Sequence, residues 1–370
     1  MEKIDPKVVG TRVRIARLLQ GQTQADLAKQ LQVTPAFVCQ VEAGTKQPSP
    51  DTLASIAEVL RVEPGFFLRA IPDEFRDEEC FFRKRKTTPL YVRSRALAHG
   101  TFLTELISFL EEHVDFPADD VPNYPEGSKS IDEIADDCRR AWCLGLDTPI
   151  VNMTRVLENA GIVVADFGSD RKVDAFSRAG ARRVVVRNTE TQSRSRLRFD
   201  LAHECGHLVM HVGLDASSLE LEPAADAFAA AFLLPRRAFA AEFPRSASPS
   251  WESLRALKRR WGVSLSAIVR RARDLRLIDA LFYQRAYKQM SARGWNTKEP
   301  DEQFIAEEDP ELIATALRIL DESGELAPAE LARRLGWAPT LFTDVTGVPC
   351  AELPNDIIPI DRARRSRWFM

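Results

Sequence analysis

The chain lacks the features that mark several whole classes of protein. It contains no run of about 18 apolar residues, which a membrane span requires, and its first residues lack the apolar core of a signal peptide. Its six cysteines are scattered, which fits reduced thiols better than a disulfide framework. We therefore expect a cytoplasmic protein without membrane contact, and its 370 residues suggest two or three domains.

Positive charge and several common catalytic patterns are missing as well. The formal net charge of −3 argues against a protein coated in nucleic acid, but it leaves room for one small DNA-reading module. The sequence has no internal repeat, no glycine-rich loop for a phosphate and no Ser-His-Asp arrangement. Among only five histidines, His99 and His113 stand alone in helical stretches, and we predict them to be surface residues.

The other three histidines are close together. His203, His207 and His211 lie within nine positions, and the first two frame the letters H-E-C-G-H. On a helix, residues four apart point the same way, so His203 and His207 can hold one ion of Zn2+. Glu204 would lie beside water at the metal and could take its proton. The pattern therefore predicts a zinc site with Glu204 as the catalytic base.

A zinc site of this kind needs a third protein ligand and an open fourth position. An apolar helix is predicted from Glu222 to Pro235, with acids only at its start. We choose Glu222 as the third ligand over Glu220 and Asp226, and we assign Asp226 to support a ligand histidine from behind. The alternative is that these acids only favour a helix N-terminus. His211 is too far along the helix to bind the same ion; it either supports the site, faces the substrate or only packs.

The stretch from Arg198 to Pro235 resembles the ImmA/IrrE family of zinc metallopeptidases. That family pairs an H-E-x-G-H helix with a later E-x-x-A-[ND]-x-F-A…L-L-x-P segment. The matching residues are His203, Glu204, Gly206, His207, His211, Glu222, Ala225, Asp226, Phe228, Ala229, Leu233 and Pro235. Upstream segments between residues 149 and 188 also resemble the family, although Ala175 stands where a glycine is usual. The resemblance implies a zincin-like endopeptidase, and such proteins often cleave helix-turn-helix repressors.

The N-terminal part predicts four short helices between residues 8 and 62. Thr23 can cap the second helix, with Asp26 completing a capping box, and Thr34 can cap the third, with Pro35 at its first position. Gly44 ends the third helix. Residues 7 to 69 resemble the Cro/repressor-type (XRE) helix-turn-helix. Such a fold places its second motif helix in the major groove of double-stranded DNA.

The candidate DNA contacts follow from that placement. Base-edge candidates are Thr34, Ala36, Phe37 and Gln40, and phosphate candidates are Gln24, Thr45 and Lys46. Residues 1 to 70 carry nine basic and seven acidic side chains, a net charge of +2, and the predicted reading helix has no Arg or Lys. Binding to an operator would then depend on a homodimer and on the basic run Arg83–Lys86. That run could equally be a solvated linker, and the module could instead be a helical protein-interaction domain.

Together these patterns predict a mainly α chain of the α+β class. We place a helix-turn-helix domain at 1–70, a charged linker at 71–90, a zincin-like peptidase domain with a small antiparallel sheet at 91–240, and a helical region at 241–370 that recognises a ligand or partner. The first functional hypothesis is a DNA-binding regulator that cleaves a helix-turn-helix repressor, in trans or in itself, under some condition. The alternative is a DNA-binding sensor whose peptidase-like domain binds a ligand or partner without cutting.

Overall fold

The fold is taken from a computed structural model of the chain. It describes residues 7–71, 73–82, 89–125, 127–168, 175–189, 193–215, 218–246 and 248–351. The basic run Arg83–Lys86 lies outside these residues. Among the residues described, no helix is both long enough and apolar enough to cross a membrane.

Helices make up most of the structure, and four short strands form one sheet. The α-helices in the described ranges are α1 (Gly10–Leu19), α2 (Gln24–Gln30), α3 (Pro35–Glu42), α4 (Pro50–Leu60), α5 (Leu90–Glu111), α6 (Ile131–Ala141), α7 (Met153–Asn159), α8 (Arg194–Met210), α9 (Glu222–Leu233), α10 (Arg236–Glu242), α11 (Trp251–Trp261), α12 (Leu265–Asp274), α13 (Ala280–Ala292), α14 (Leu312–Glu322), α15 (Pro328–Leu335) and α16 (Pro339–Thr346). The strands are β1 (Cys80–Phe82), β2 (Val163–Phe167), β3 (Ala175–Ala179) and β4 (Arg183–Asn188). The predicted α+β class, with its helical N- and C-terminal parts, is confirmed.

The first helices begin and end where the sequence predicts. At the start of α2, the Thr23 hydroxyl accepts a hydrogen bond from the Asp26 amide at 3.1 Å, and the Asp26 carboxylate accepts one from the Thr23 amide at 2.9 Å. At the start of α3, the Thr34 hydroxyl accepts from the Phe37 amide at 3.2 Å. Gly44 follows α3 with φ = +71°, a conformation that favours glycine and stops the helix.

The sheet is mixed, which corrects the prediction of a purely antiparallel one. Its strand order is β1-β3-β4-β2; β3 pairs antiparallel with β1 and β4, whereas β2 pairs parallel with β4. Strands β3 and β4 form a hairpin, and it is β4, not β3, that lies beside β2. Strand β4 runs opposite to β3 and in the same direction as β2. Both β2 and β4 are apolar on both faces, as buried parallel strands usually are.

The segment predicted to be a charged linker supplies β1, so residues 71–90 are not linker throughout. Cys80, Phe81 and Phe82 are all buried, and Phe82 stacks on Phe176 of β3 with ring centroids 5.0 Å apart. Burying one Phe side chain contributes roughly 1.5–3 kcal/mol. This burial explains why three adjacent apolar residues of a charged segment form a strand of the sheet.

The two faces of the sheet belong to two different hydrophobic cores. The first core joins α1–α5 and α14–α16 to the sheet face that carries Phe167 and Phe176. The second core joins α6–α13 to the face that carries Val164 and Val185. The region from 241 to 370, predicted as one helical unit, is therefore divided between the two cores.

The last helices pack directly against the N-terminal helices. Val62 forms an antiparallel bridge with Trp337, and the Glu63 amide donates to the Gly336 carbonyl at 2.8 Å. Trp337 is 1% exposed and lies 5.1 Å from Phe102 of α5 between ring centroids. The beginning and the end of the described chain thus share one core.

Candidate functional site

The candidate metal site is built on α8, a 17-residue helix that lies between the sheet and α9. His203 and Glu204 are 0% exposed and His207 is 1% exposed. Gly206 faces α9 and permits this close packing, because a Cβ at this position would lie 3.0 Å from Phe228 Cδ1. The glycine within H-E-C-G-H is thus explained by helix contact.

Three side chains meet at one point, as the sequence predicts. The Nε2 atoms of His203 and His207 are 3.1 Å apart, and they lie 3.5 Å and 3.6 Å from the carboxylate oxygens of Glu222, which begins α9. Donor atoms bound at about 2.1 Å in a tetrahedron lie roughly 3.4 Å from one another. The observed separations match that spacing, so these residues fit a zinc ion.

Both ligand histidines are oriented by a group at their other ring nitrogen. Nδ1 of His203 lies 2.9 Å from Asp226 Oδ1, and Arg270 of α12 donates to Asp226 Oδ2 at 3.1 Å. Nδ1 of His207 lies 2.9 Å from Nδ1 of His211. Burial, together with the two nearby histidines, lowers the pKa of His211 to about 4. Nδ1 of a neutral His211 can accept a hydrogen bond from Nδ1 of His207. The Nε2 atoms of His203 and His207 then remain directed at Glu222.

Glu222 is the charged member of the cluster. Burial alone would raise the pKa of its carboxyl, but hydrogen bonds to His203 and His207 outweigh this and lower the pKa to about 2. Its side chain is 25% exposed, whereas those of the two histidines are 1% exposed. Of the three candidate ligands, the carboxylate is therefore the one nearest solvent.

Glu204 lies in the most enclosed position of the site. Its Oε2 accepts a hydrogen bond of 2.6 Å from the Ser177 hydroxyl on β3, and its Oε1 is buried without a hydrogen-bond partner among the described residues. Burial raises the pKa of this carboxyl, and the neighbouring His207 and His203 oppose the rise. The carboxylate is thus held by one oxygen, and the other is left to accept a proton.

Three residues of the site carried no role in the sequence analysis: Ser177, Arg270 and Phe81. Ser177 is a fully buried polar residue at the middle of β3, and no pattern in the sequence marks it. The Phe81 ring from β1 stacks on the His207 ring with centroids 4.7 Å apart and an interplanar angle of 13°. Its signal was the apolar triplet Cys80–Phe82 inside a charged segment.

The predicted base-reading residues lie on α3. Thr34, Ala36 and Gln40 are exposed, whereas Val38 and Val41 of the same helix are buried in the first core. Phe37 is only half-buried. The polar face of α3 is thus available to a DNA groove.

The predicted phosphate contacts are less uniform. The Lys46 ammonium lies 4.8 Å from the centroid of the Phe37 ring, and the Thr45 hydroxyl donates to the Gln40 carbonyl at 3.1 Å. Gln24 instead turns inward, where its amide donates to Glu42 Oε2 at 2.7 Å. Since Glu42 also pairs with buried Arg17 at 2.5 Å, Gln24 completes a buried network.

Comparisons with known proteins match two separate parts of the chain. Residues 157–273 match the family described as IrrE N-terminal-like domain, and residues 13–67 match the family described as helix-turn-helix. The first match spans His203, Glu222 and Arg270 but not β1. No curated protein sequence matches the chain.

A weak similarity to one solved structure has also been found. It is the crystal structure of ComR from S. thermophilus in complex with DNA and its signalling peptide ComS. The similarity covers 85% of this chain and 94% of that one, at 13% identity and a TM-score of 0.15.

Proposed function

We propose that this chain, in which a helix-turn-helix domain is followed by an IrrE-like domain, is a transcriptional regulator with a zinc-dependent endopeptidase activity. The helix-turn-helix domain makes it a DNA-binding regulator; the peptidase activity is the step that we add. The observation that carries it is the meeting of His203, His207 and Glu222 at tetrahedral spacing, with the buried carboxylate of Glu204 beside them.

The chain's own residues supply the parts of a peptide hydrolase. A zinc ion held by His203, His207 and Glu222 would supply Lewis acidity that polarises a peptide carbonyl and lowers the pKa of water. Glu204 Oε1 is placed to take a proton and later to deliver it to the departing amine. The Ser177 hydroxyl holds the other oxygen of that carboxylate, so the proton-carrying atom stays fixed.

Asp226 and His211 serve as positioning residues. By occupying Nδ1 of His203 and His207, they keep both Nε2 atoms directed at the point where the donors meet. Arg270 neutralises Asp226 from the outside. This arrangement holds the ligand geometry before any metal arrives, which lowers the cost of binding it.

We propose that the substrate is a helix-turn-helix repressor, cleaved in trans, or the chain's own segment between residues 71 and 89. A peptidase takes its substrate extended, and therefore from a loop or linker, because folded helices hide their bonds. Cutting must be conditional, since a permanently active enzyme would destroy its own regulator. The DNA-binding part would act as a homodimer on a two-fold operator, with Thr34, Ala36, Phe37 and Gln40 at the base edges.

The test is a comparison of the zinc-loaded wild type with Glu204→Gln. Both are incubated with candidate repressors, and the fragments are mapped by mass spectrometry. We expect Glu204→Gln to keep its zinc but to cut roughly 10²–10⁴ times more slowly, because a base is lost and not a ligand. If the wild type cuts nothing, itself included, while its DNA binding responds to a small ligand, the domain is a sensor and not a peptidase.

A further inference from the structure

The strand β1 lies at the edge of the sheet that is nearest the candidate metal site. It pairs antiparallel with β3, and Phe81 is directly opposite Ser177, the residue that hydrogen-bonds Glu204. Peptides commonly bind to proteins by adding a strand to such an edge, with alternate side chains entering pockets. If the proposed peptidase binds an extended peptide against β3, the peptide must lie where β1 lies now.

The side chains of β1 divide between the two faces as those of a bound peptide would. Cys80 and Phe82 join the first core behind the sheet. Phe81 points to the opposite face, where its ring stacks on His207 and lies 6.3 Å from the His211 ring. Phe81 is only 3% exposed, so it closes the site from this side. The imidazoles of His207 and His211 thus line a place that accepts one aromatic side chain.

The attachment of β1 is short and depends on charge. Three residues pair with β3, and two-stranded pairings of this kind are marginal in isolation. Arg178 of β3 holds the preceding residues through Asp73 at 2.5 Å and Glu79 at 2.9 Å. Glu79 and Asp73 are 39% and 30% exposed, so solvent weakens these pairs. Release of β1 must therefore break three strand pairings, these two ion pairs and the packing of Cys80 and Phe82 in the first core.

We propose that Cys80–Phe82 is an internal occupant of the peptide-binding groove, and that Phe81 stands in for an aromatic side chain of the substrate. The groove then takes an extended peptide with an aromatic residue next to the metal site, and only after β1 has left. This rests on the proposed function only in that the groove binds peptides. An apolar triplet within a charged segment, which a plain linker does not need, is explained by this role.

The test measures binding and not cleavage, so it stands whether or not the chain is an active enzyme. The full chain carrying Glu204→Gln is loaded with zinc and titrated with a labelled, capped hexapeptide DEESFF, which copies residues 77–82 with serine for Cys80. Adding Asp73→Ala and Glu79→Ala, which removes both ion pairs from the β1 side and leaves Arg178 for the glutamate of the peptide, should release β1 and tighten peptide binding at least tenfold. The peptide DEESAF should lose this gain. The matched control is Arg183→Ala on the neighbouring strand β4, which breaks an ion pair with Asp119. This variant should leave peptide affinity unchanged.

A cross-link gives the opposite result in the same fold. Cys80 lies opposite Arg178, and directly opposed residues of antiparallel strands are close enough for a disulfide. Arg178→Cys should therefore bind the peptide when reduced and should lose binding when oxidised. The double variant Cys80→Ser/Arg178→Cys should not respond to redox. Equal binding by the oxidised and reduced forms would show that the peptide does not take the place of β1, and equal binding of DEESFF and DEESAF would overturn the aromatic site.

Discussion

The metal centre and the DNA-reading helix are two sites of opposite construction. At the metal centre every proposed ligand is buried or half-buried, and both histidines have a partner at the second nitrogen. On α3 the proposed reading residues are exposed, and the three arginines of the adjacent helix α1 are engaged elsewhere: Arg12 with Glu105, Arg14 with Glu74 and Arg17 with Glu42. The side chains of the first site are fixed by neighbours in the protein, whereas the exposed side chains of the second would find their partners in DNA.

The largest effect should come from removing a ligand at the fixed site. His207→Ala should reduce bound zinc from about one ion per chain to none, because two ligands are too few for a structural or catalytic site. Asp226→Asn should leave the ion but weaken its binding about 10–100-fold. Elemental analysis after dialysis measures both, with His113→Ala as the control. Equal zinc in His207→Ala and the wild type would remove the basis of the site.

His99 differs from the histidines of the metal site, since it is buried without the hydrogen-bond partners that His203 and His207 have. It is 2% exposed, neither ring nitrogen has a hydrogen-bond partner among the described residues, and its ring lies 4.9 Å from Phe167 between centroids. Burial, aided by Arg95, lowers its pKa to about 4 from the usual 6.5. The unfolded chain therefore binds a proton on His99 at higher pH than the folded chain does.

The sign of the resulting pH dependence follows. The free energy of unfolding should be constant in this term above pH 6.5, and it should fall by about 3 kcal/mol in total as the pH drops through the window to about 4. His99→Leu removes the titrating group, so the free energy of unfolding of the wild type minus that of the variant should decrease by about 3 kcal/mol as the pH falls through that window. Urea unfolding at several pH values measures it, and a pH-independent difference would contradict the burial of a neutral ring.

A smaller effect is expected for base reading. Gln40→Ala should reduce discrimination at one base pair of the operator by roughly 1–3 kcal/mol, because an exposed amide can pair bidentately with adenine. Gln24→Ala is the informative comparison. Since Gln24 bonds to Glu42, its loss should lower stability rather than change base preference. Competition binding with single-base operator variants separates the two outcomes.

The smallest effect is expected for the phosphate contact. Lys46→Ala should weaken binding to all sequences alike and flatten the slope of log affinity against log salt by about one unit. Lys29→Ala, on the adjacent helix α2, tests whether the loss is specific to position 46. If neither variant changes the slope, α3 is a surface for protein contacts and not for DNA. The metal centre and α3 would then differ in the class of partner that they bind as well as in burial.

What the sequence could predict was set by spacing along the chain. The histidines of α8 and the acids of α9 follow helical periodicity, and so do the caps at Thr23 and Thr34, so their placement needs only local rules. Phe81, Ser177 and Arg270 reach the site through the sheet and α12, which no local pattern encodes. The mixed sheet was missed because strand direction depends on which strand the hairpin places beside β2.

His99 shows the same limit at a single residue. We predicted a surface position for a lone histidine, and that is wrong, because α5 is covered on most of its circumference by α1, α14 and α16. Its flanks, Ala96, Ala98 and Gly100, are small residues typical of a helix packed on several sides. The identity of a residue says less about its burial than the neighbours that the fold supplies.

The shared core of the two chain ends has a consequence for any cut in the segment between residues 71 and 89. Trp337 and Phe342 fill the same core as Leu60 and Phe66, and Arg61 pairs with Asp344 across the bridge at Val62. Cleavage in that segment would produce two polypeptides that stay associated, since the C-terminal fragment remains packed against the N-terminal one. Gel electrophoresis in denaturant would record a cleavage that size-exclusion chromatography does not, and DNA would be released only if the nick altered how the reading helices are presented.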